Sequence, residues 1–198
     1  MLIQKGAEAE IHKEGEIVRK VRIKKSYRIP QLDERLREER TRFEARMIQS
    51  ARRTGILAPK IFDVQRYEIR MEWIDGERVK EYLFKASKKD RVKIYTEIGH
   101  VVATLHRWGI IHGDLTTSNF IVKENHLWLI DFGLGKFSRK IEDQAIDLWL
   151  LYEAIKATHF KFVKEAWKEI LKEYKANYSN AISVLSQLEK IRQRRRYM

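Results

Sequence analysis

Two short runs, Ile111-His112-Gly113-Asp114-Leu115-Thr116-Thr117-Ser118-Asn119 and Leu129-Ile130-Asp131-Phe132-Gly133, constrain the fold of this chain more than anything else in it. Between them lie the apolar pair Ile121-Val122, a polar stretch from Lys123 to His126 that includes Asn125, and the apolar run Leu127-Trp128-Leu129-Ile130. That is the pattern of a strand, a tight turn and a returning strand. Such a hairpin carries Asp131 back to the end from which the first strand departs after Asn119. A turn of loop between Asp114 and Asn119 aims both of those side chains the same way, so three oxygen-bearing side chains converge on one cleft.

That convergence suits phosphoryl transfer. The reaction needs a carboxylate beside the attacking hydroxyl and separate oxygen ligands for the magnesium that neutralises the phosphates. Asp114 is placed for the first role, Asn119 and Asp131 for the second. The spacing matches the protein-kinase signature H-x-D-L-x-x-x-N followed by D-F-G at every fixed position. Either string alone is compatible with a surface turn; the two in order, with further residues upstream, are not easily explained that way.

Upstream, Leu2 to Ile11 has the form of a strand, a turn and a second strand, and Glu16 to Ile23 alternates as a third. Lys20 shares a face with Val18 and Arg22. In a kinase-type small lobe a strand lysine pairs with the nucleotide phosphates and the residue two before it packs on the adenine, which assigns Lys20 and Val18. From Leu32 to about Arg53 the residues Leu32, Leu36, Phe43, Met47 and Ala51 recur at helical spacing, closed by Gly55 and Pro59. Glu44, on the margin of that stripe, is the candidate to hold Lys20 in an ion pair; an intrahelical pair with a neighbouring arginine is the alternative. Lys60 to Val64 and Glu68 to Ile74 are two more expected strands. The second leads into an interlobe hinge, where backbone groups of Glu72 and Ile74 would meet an adenine edge. Asp90 is the expected cap of a long helix with Ile94, Ile98, Val101, Val102 and Leu105 on one face and Gly109 as its stop. After Gly133 three helices are expected, over about 141–157, 160–176 and 179–193, the last with Ile182, Leu185, Leu188 and Ile191 on one side.

The chain has 198 residues, enough for one sizeable core or two small lobes sharing a cleft, and no cysteine, which excludes a disulfide framework, a thiolate metal site and a thiol nucleophile. No apolar stretch has the length of a membrane span and Met1 to Lys5 lacks the apolar core of a signal peptide, so a cytoplasmic, membrane-free protein is expected. The net charge is +13 and it is concentrated: residues 19–53 hold thirteen Lys/Arg against five Asp/Glu, and residues 190–198 hold five against none. Two such blocks suggest a polyanionic partner such as nucleic acid. A helix face laced with Glu–Arg pairs and a solvated tail is the simpler alternative.

With those residues in view, the chain resembles the PRPK family, the small atypical Ser/Thr kinase/ATPase subunit of the KEOPS complex, in its archaeal single-domain form. The matching segments are Lys5-Gly6-Ala7-Glu8-Ala9, Lys20 through Lys25-Ser26-Tyr27-Arg28, Arg40-Thr41 with Glu44-Ala45, Gly55-Ile56 with Pro59, His112 to Asn119, Ile130 to Leu134, and Asp143 with Asp147-Leu148. The resemblance implies an α+β, bilobal protein-kinase-like fold over 1–198. Its lobes are a small antiparallel-sheet N-lobe with one helix over 1–74 and a truncated, mainly helical C-lobe over 75–198, ending in the basic tail 190–198. It implies ATP and Mg2+ as cofactors, with Gly6, Ala7, Glu8 and Ala9 over the phosphates, and Asp114 as proton acceptor. It also implies service in tRNA threonylcarbamoyladenosine modification. The partners would be a TsaD-type threonylcarbamoyl transferase subunit, other small KEOPS subunits, and tRNA through Arg192, Arg194, Arg195, Arg196 and the basic N-lobe.

The chain departs from ordinary protein kinases in several places. Gly6-Ala7-Glu8-Ala9 holds one glycine where a G-x-G-x-x-G loop has three, Gly113 replaces the arginine of H-R-D, and no A-P-E follows. Too little chain remains for a peptide-binding platform. Two rival functions follow: a nucleotide-gated tRNA-binding scaffold with incidental turnover, and a small-molecule phosphotransferase sharing the H-G-D loop.

Overall fold

The computed structural model describes residues 1–194. The alternating N-terminal segments form β1 (Leu2–Lys5), β2 (Ala9–Glu14) and β3 (Ile17–Arg22). After α1 (Pro30–Arg53) come β4 (Ile61–Val64) and β5 (Glu68–Glu72). These five strands make one antiparallel sheet in the order β1-β2-β3-β5-β4. In β3 the period of two places Val18, Lys20 and Arg22 on the buried side.

Pro30 opens α1, where a missing amide costs nothing. The first half of that helix does not bury the expected apolar stripe. Leu32 is 40% exposed, whereas Asp33 and Thr41 are buried. Asp33 is needed inside because it anchors the preceding loop: it accepts from the Lys25 amide (3.2 Å) and Arg37 Nε (2.7 Å), with Arg28 at 3.6 Å. The apolar face begins only with Ala45, Met47, Ile48 and Ala51.

The second half of the chain runs β6 (Glu77–Arg78), α2 (Val79–Lys85), α3 (Lys88–Arg107), β7 (Ile110–Ile111), β8 (Phe120–Lys123), β9 (His126–Leu129) and β10 (Lys136–Phe137). Then follow α4 (Ile141–Thr158), a 3-10 turn (Phe160–Phe162), α5 (Val163–Asn177) and α6 (Ala181–Arg194). The short α2 was not among the expected elements; Val79 and Leu83, four apart, fix it to the core. Ser87, not Asp90, caps α3. Its hydroxyl accepts from the Asp90 amide (3.2 Å) and donates to the Asp90 carboxylate (2.6 Å), so Asp90 sits in the first turn as the partner of the cap. The third of the three final helices also differs from expectation. Ile182 is 80% exposed, and the buried line is Ala181, Val184 and Leu188, with Leu185 and Ile191 beside it.

Helix α3 packs along α5 and α4 along α6. Gly99 permits the first contact, because a Cβ there would press into the Ile170 carbonyl. One apolar cluster joins Met47, Ile48 and Ala51 of α1, with Ile56 and Ala58, to the C-terminal helices. The Leu129 amide donates to the Leu57 carbonyl (2.8 Å), stitching β9 to the segment that follows α1. Helix α1 is therefore held against both halves of the molecule. Among the described residues no helix is long and apolar enough to cross a membrane.

Candidate active site

Strand β3, helix α1 and the segment after β9 meet at Lys20. Its ammonium lies 2.6 Å from Glu44 Oε1 and 2.6 Å from Asp131 Oδ1, and it is buried. Glu44 is 1% exposed and its second oxygen accepts from the Arg22 guanidinium, so two buried cations share one carboxylate. The intrahelical alternative for Glu44 is not what the structure contains. Burial by itself pushes the Lys20 ammonium down, but the two carboxylates outweigh it and its pKa is raised. For Asp131 burial acts upward, and the Lys20 charge overrides it and holds the carboxyl below its ordinary range.

Asp131 adopts φ +62°, a left-handed conformation that few residues other than glycine take up. Phe132 behind it is fully buried against His112, with ring centroids 4.8 Å apart. That anchor turns the Asp131 carboxylate out of the core and toward Lys20. Glu124 and Asn125, both at positive φ, make the two-residue turn between β8 and β9, which fixes the hairpin register. The Ile130 amide donates to the Asn119 carbonyl (2.9 Å), so Asn119 and Asp131 emerge side by side as their spacing predicts.

In the loop itself, Asn119 Nδ2 donates to the Asp114 carbonyl (2.8 Å) and to Asp114 Oδ2 (2.9 Å). Asp114 is thereby held in one orientation, and the Asn119 side-chain oxygen is left for another partner. His112 Nδ1 accepts from the Asp114 amide (3.3 Å), so the ring hydrogen sits on Nε2, which donates to the Ile130 carbonyl (3.1 Å). Gly113 has φ +79° and a Cβ there would collide with the Leu134 carbonyl, which explains a glycine where kinases carry arginine.

The loop is held from beneath by a residue that spacing alone gave no role. Asp147, fully buried in α4, accepts from the His112 amide (2.9 Å) and the Gly113 amide (2.8 Å), with His106 Nε2 at 3.3 Å. His106 Nδ1 meets the Tyr174 hydroxyl at 2.8 Å. The available signal was a lone aspartate in the apolar run Ala145-Ile146-Asp147-Leu148-Trp149. For Arg22 the signal was plainer, since it shares the face of Lys20 on an alternating strand.

Gly6, Ala7 and Glu8 form the exposed β1–β2 turn, closed by the Gly6 amide on the Ala9 carbonyl (2.9 Å). The Glu8 carboxylate pairs with Arg40 of α1 (2.7 Å) and lies 3.7 Å from Arg28, and Lys25 Nζ donates to the Ala7 carbonyl. Ala9 and Val18 are buried in the sheet above Lys20, and Ile74 is buried at the hinge. The Glu72 amide donates to the Lys60 carbonyl (2.8 Å), which removes it from the expected adenine contact.

Most of the arginines and lysines in 19–53 pair with carboxylates, as Arg19 does with Glu14 and Glu68, Arg37 with Asp33, and Arg42 with Glu38. The N-terminal basic block is thus laced with ion pairs. Arg192 and Arg194 close α6; Arg195, Arg196 and Tyr197 lie outside the described residues.

Residues 12–135 match the family model of the RIO domain, RIO1. The chain is 43% identical over 185 residues to the KEOPS complex subunit Bud32 of Pyrococcus abyssi, covering 87% of this chain and 84% of that protein. It is 41% identical over 203 residues to a probable bifunctional tRNA threonylcarbamoyladenosine biosynthesis protein of Methanococcus maripaludis, covering all of this chain and 36% of that one. Among solved structures, the Rio2 kinase–ADP/Mg2+–phosphoaspartate complex of Chaetomium thermophilum superposes with a TM-score of 0.64 at 17% identity, over 98% of this chain and 70% of that chain. At that identity the likeness speaks for the fold: a sheet lobe and a helical lobe around one cleft.

Proposed function

Because this chain belongs to the Bud32/PRPK family of atypical kinases with a RIO-type domain, we propose that it is an ATP- and Mg2+-dependent phosphotransferase of the KEOPS type. It would serve tRNA threonylcarbamoyladenosine formation, with ATP hydrolysis as its main chemistry. One observation carries the site reading: the Lys20 ammonium is held between Glu44 and Asp131 at the mouth of the loop that presents Asp114 and Asn119.

In this reading Lys20 binds nucleotide phosphates and Glu44 keeps it pointed at them. Asp131 Oδ1 is occupied by Lys20 and the Gly133 amide (3.3 Å), leaving Oδ2; with the Asn119 side-chain oxygen it would hold the magnesium ion. Substrate phosphates would supply further oxygen ligands to that ion. When bound, that ion neutralises charge on the phosphates. Asp114 Oδ2 is fixed by Asn119, so its other oxygen accepts the proton of the attacking hydroxyl or water. Val18 lies under the adenine; the Glu72 carbonyl and Ile74 backbone meet its edge, and the β1–β2 turn of Gly6, Ala7, Glu8 and Ala9 covers the phosphates.

A short activation segment favours water or a partner-held group as acceptor over a docked peptide. Only Leu134 to Lys140 separates Gly133 from α4, and two of those residues are tied up as β10 on β7. The partner would be a TsaD-type subunit, with other small KEOPS subunits and tRNA. Arg192 and Arg194, the tail beyond them and the few unpaired N-lobe cations such as Arg46 would meet the tRNA.

The test is ATP hydrolysis by this chain alone, with a TsaD-type protein, and with tRNA added. Asp114→Ala should lower turnover by about 10² to 10⁴ while ATP stays bound; near-normal hydrolysis in that variant would remove Asp114 from the chemistry. Phosphate transferred to the partner protein, rather than to water, would turn the ATPase assignment into a kinase one.

A further inference from the structure

Helix α5 segregates its charges. Lys164, Lys168, Lys172 and Lys175, preceded by Lys161 in the 3-10 turn, are all exposed. At 3.6 residues per turn, and treating Lys161 as on the same helix, they fall within an arc of about 80°. Successive members are about 4.5–6 Å apart along the axis and Lys164 to Lys175 spans about 17 Å. The acids of the same helix, Glu165, Glu169 and Glu173, lie along one side of this stripe, and the first and last of them are engaged elsewhere. Glu165 pairs with Arg91 of α3 (3.1 Å), and Glu173 accepts from Asn177 (2.7 Å) and lies 3.7 Å from His100. Among the described residues only Lys168 of the five has a carboxylate within 4 Å, its neighbour Glu169 at 3.9 Å. The N-terminal basic block, by contrast, is largely neutralised in place.

The stripe is continuous with the basic end of α6 through an aromatic bridge. Trp167, half-buried on α5 beside the stripe, stands edge-on to Tyr152 with centroids 5.1 Å apart. The Arg192 guanidinium lies 5.1 Å from the Tyr152 ring centroid and pairs with Glu189 of its own helix (3.1 Å), which leaves Arg194 as the unpaired cation at the described end of α6. One surface therefore carries a row of lysines, partly exposed rings and the start of the arginine-rich tail. Cations interleaved with aromatic rings suit a nucleic-acid strand, whose phosphates pair with the cations while unstacked bases find a flat apolar surface. On α5 itself no large apolar side chain is strongly exposed; Phe160, in the turn that carries Lys161, is 70% exposed, a single ring and not the apolar face that insertion into a lipid surface requires.

We propose that the outward face of α5, together with the end of α6, is an RNA-binding surface that grips the phosphate backbone. The inference rests on the tRNA-modification role only for its choice of RNA; the cleft at Lys20 plays no part in it.

The full chain is titrated with a tRNA transcript at 50 and 200 mM KCl, as parent, as the triple variant Lys164→Ala/Lys168→Ala/Lys172→Ala, and as Lys88→Ala/Lys89→Ala. The last pair removes two exposed charges from the start of α3, outside the stripe though near its first turn. At about 0.7 to 0.9 per contact, loss of three phosphate contacts should flatten the log–log salt slope by about 2 and weaken binding at 50 mM salt at least about tenfold. The α3 variant should keep the parental slope to within one contact, and circular dichroism should show all three folded. An unchanged slope and affinity in the triple variant, or an equal loss in the α3 variant, overturns the assignment. So does stripe-dependent binding to phosphatidylserine vesicles without stripe-dependent binding to tRNA. Asp114→Ala protein separates the two conclusions: it should bind tRNA like the parent, and normal ATP turnover there would count against the site and not against this surface.

Discussion

Glu44→Ala is the most informative single change. It removes one carboxylate from between two buried cations, each about 6% exposed. Lys20 keeps Asp131 as a partner, but Arg22 has no other carboxylate among the described residues. Removing one member of a buried ion pair costs about 3–5 kcal/mol, because the remaining charge is left unpaired in a poorly solvated place. The retained Asp131 contact puts the expected loss near the lower bound, about 3 kcal/mol. For a domain of this size about 2–4 °C of melting temperature goes with each kcal/mol, so a fall of about 6–12 °C is expected. Urea unfolding of parent, Glu44→Ala, Arg22→Met and the double variant gives the coupling directly. It should exceed about 1 kcal/mol if the two groups touch as described. Turnover provides the second axis. If Glu44 acts by holding Lys20, then Lys20→Met/Glu44→Ala should be no slower than Lys20→Met alone. A stability loss under about 1 kcal/mol with no coupling, or turnover losses that simply multiply, would refute the shared-carboxylate account.

Further expectations concern the loop and its support. Gly113→Ala should cost about 1–3 kcal/mol of stability through φ +79° and collision with the Leu134 carbonyl, and should lower turnover at least about tenfold by shifting Asp114; unaltered kinetics would show that the loop tolerates the change. Asp147→Ala strands the His112 and Gly113 amides, each about 1–3 kcal/mol when buried without a partner, so a loss of more than about 2 kcal/mol in denaturant titration is expected, with turnover reduced more than ATP affinity. The Asp131 carboxyl is depressed in the folded protein, so the unfolded chain takes up more protons as the pH falls. Its contribution is therefore complete above about pH 5, and is lost as the pH drops through its folded-state value below about 3.9. The raised Lys20 pKa adds no loss until the pH passes about 10.4. The stability gap between parent and Asp131→Asn should be flat from about pH 5 to 9 and narrow in acid; a gap that changes around neutrality would contradict the pairing.

Local pattern made much of this protein legible. The alternation of Val18, Lys20 and Arg22 gave β3 its buried face, and the apolar-polar-apolar run from Phe120 to Ile130 gave the hairpin, because both follow from the period of a strand and from turn chemistry within a few residues. The departures from local pattern share a cause. Leu32, Ile182 and Asp90 follow the spacing of their own helices, whereas their environment is set by groups outside that spacing, some of them in the adjoining loop. Asp33 took the inside because the loop carrying Lys25 and Arg28 needs an acceptor, and Ser87 took the cap because its hydroxyl reaches the Asp90 amide.

The order His112-Gly113-Asp114, Asn119, Asp131-Phe132-Gly133 by itself determined that three oxygen-bearing side chains share a cleft, since a loop and a two-residue turn leave the backbone few ways to run. Tertiary structure alone decided which charges are satisfied. Glu44 serves both Lys20 and Arg22, Asp147 holds two loop amides from a helix 34 and 35 residues away, and the crowded N-terminal basic block is neutralised while the sparser lysines of α5 are left facing water. Electrostatic pairing acts through space over a few ångströms. A charge therefore has no fixed meaning until the fold has chosen its neighbours.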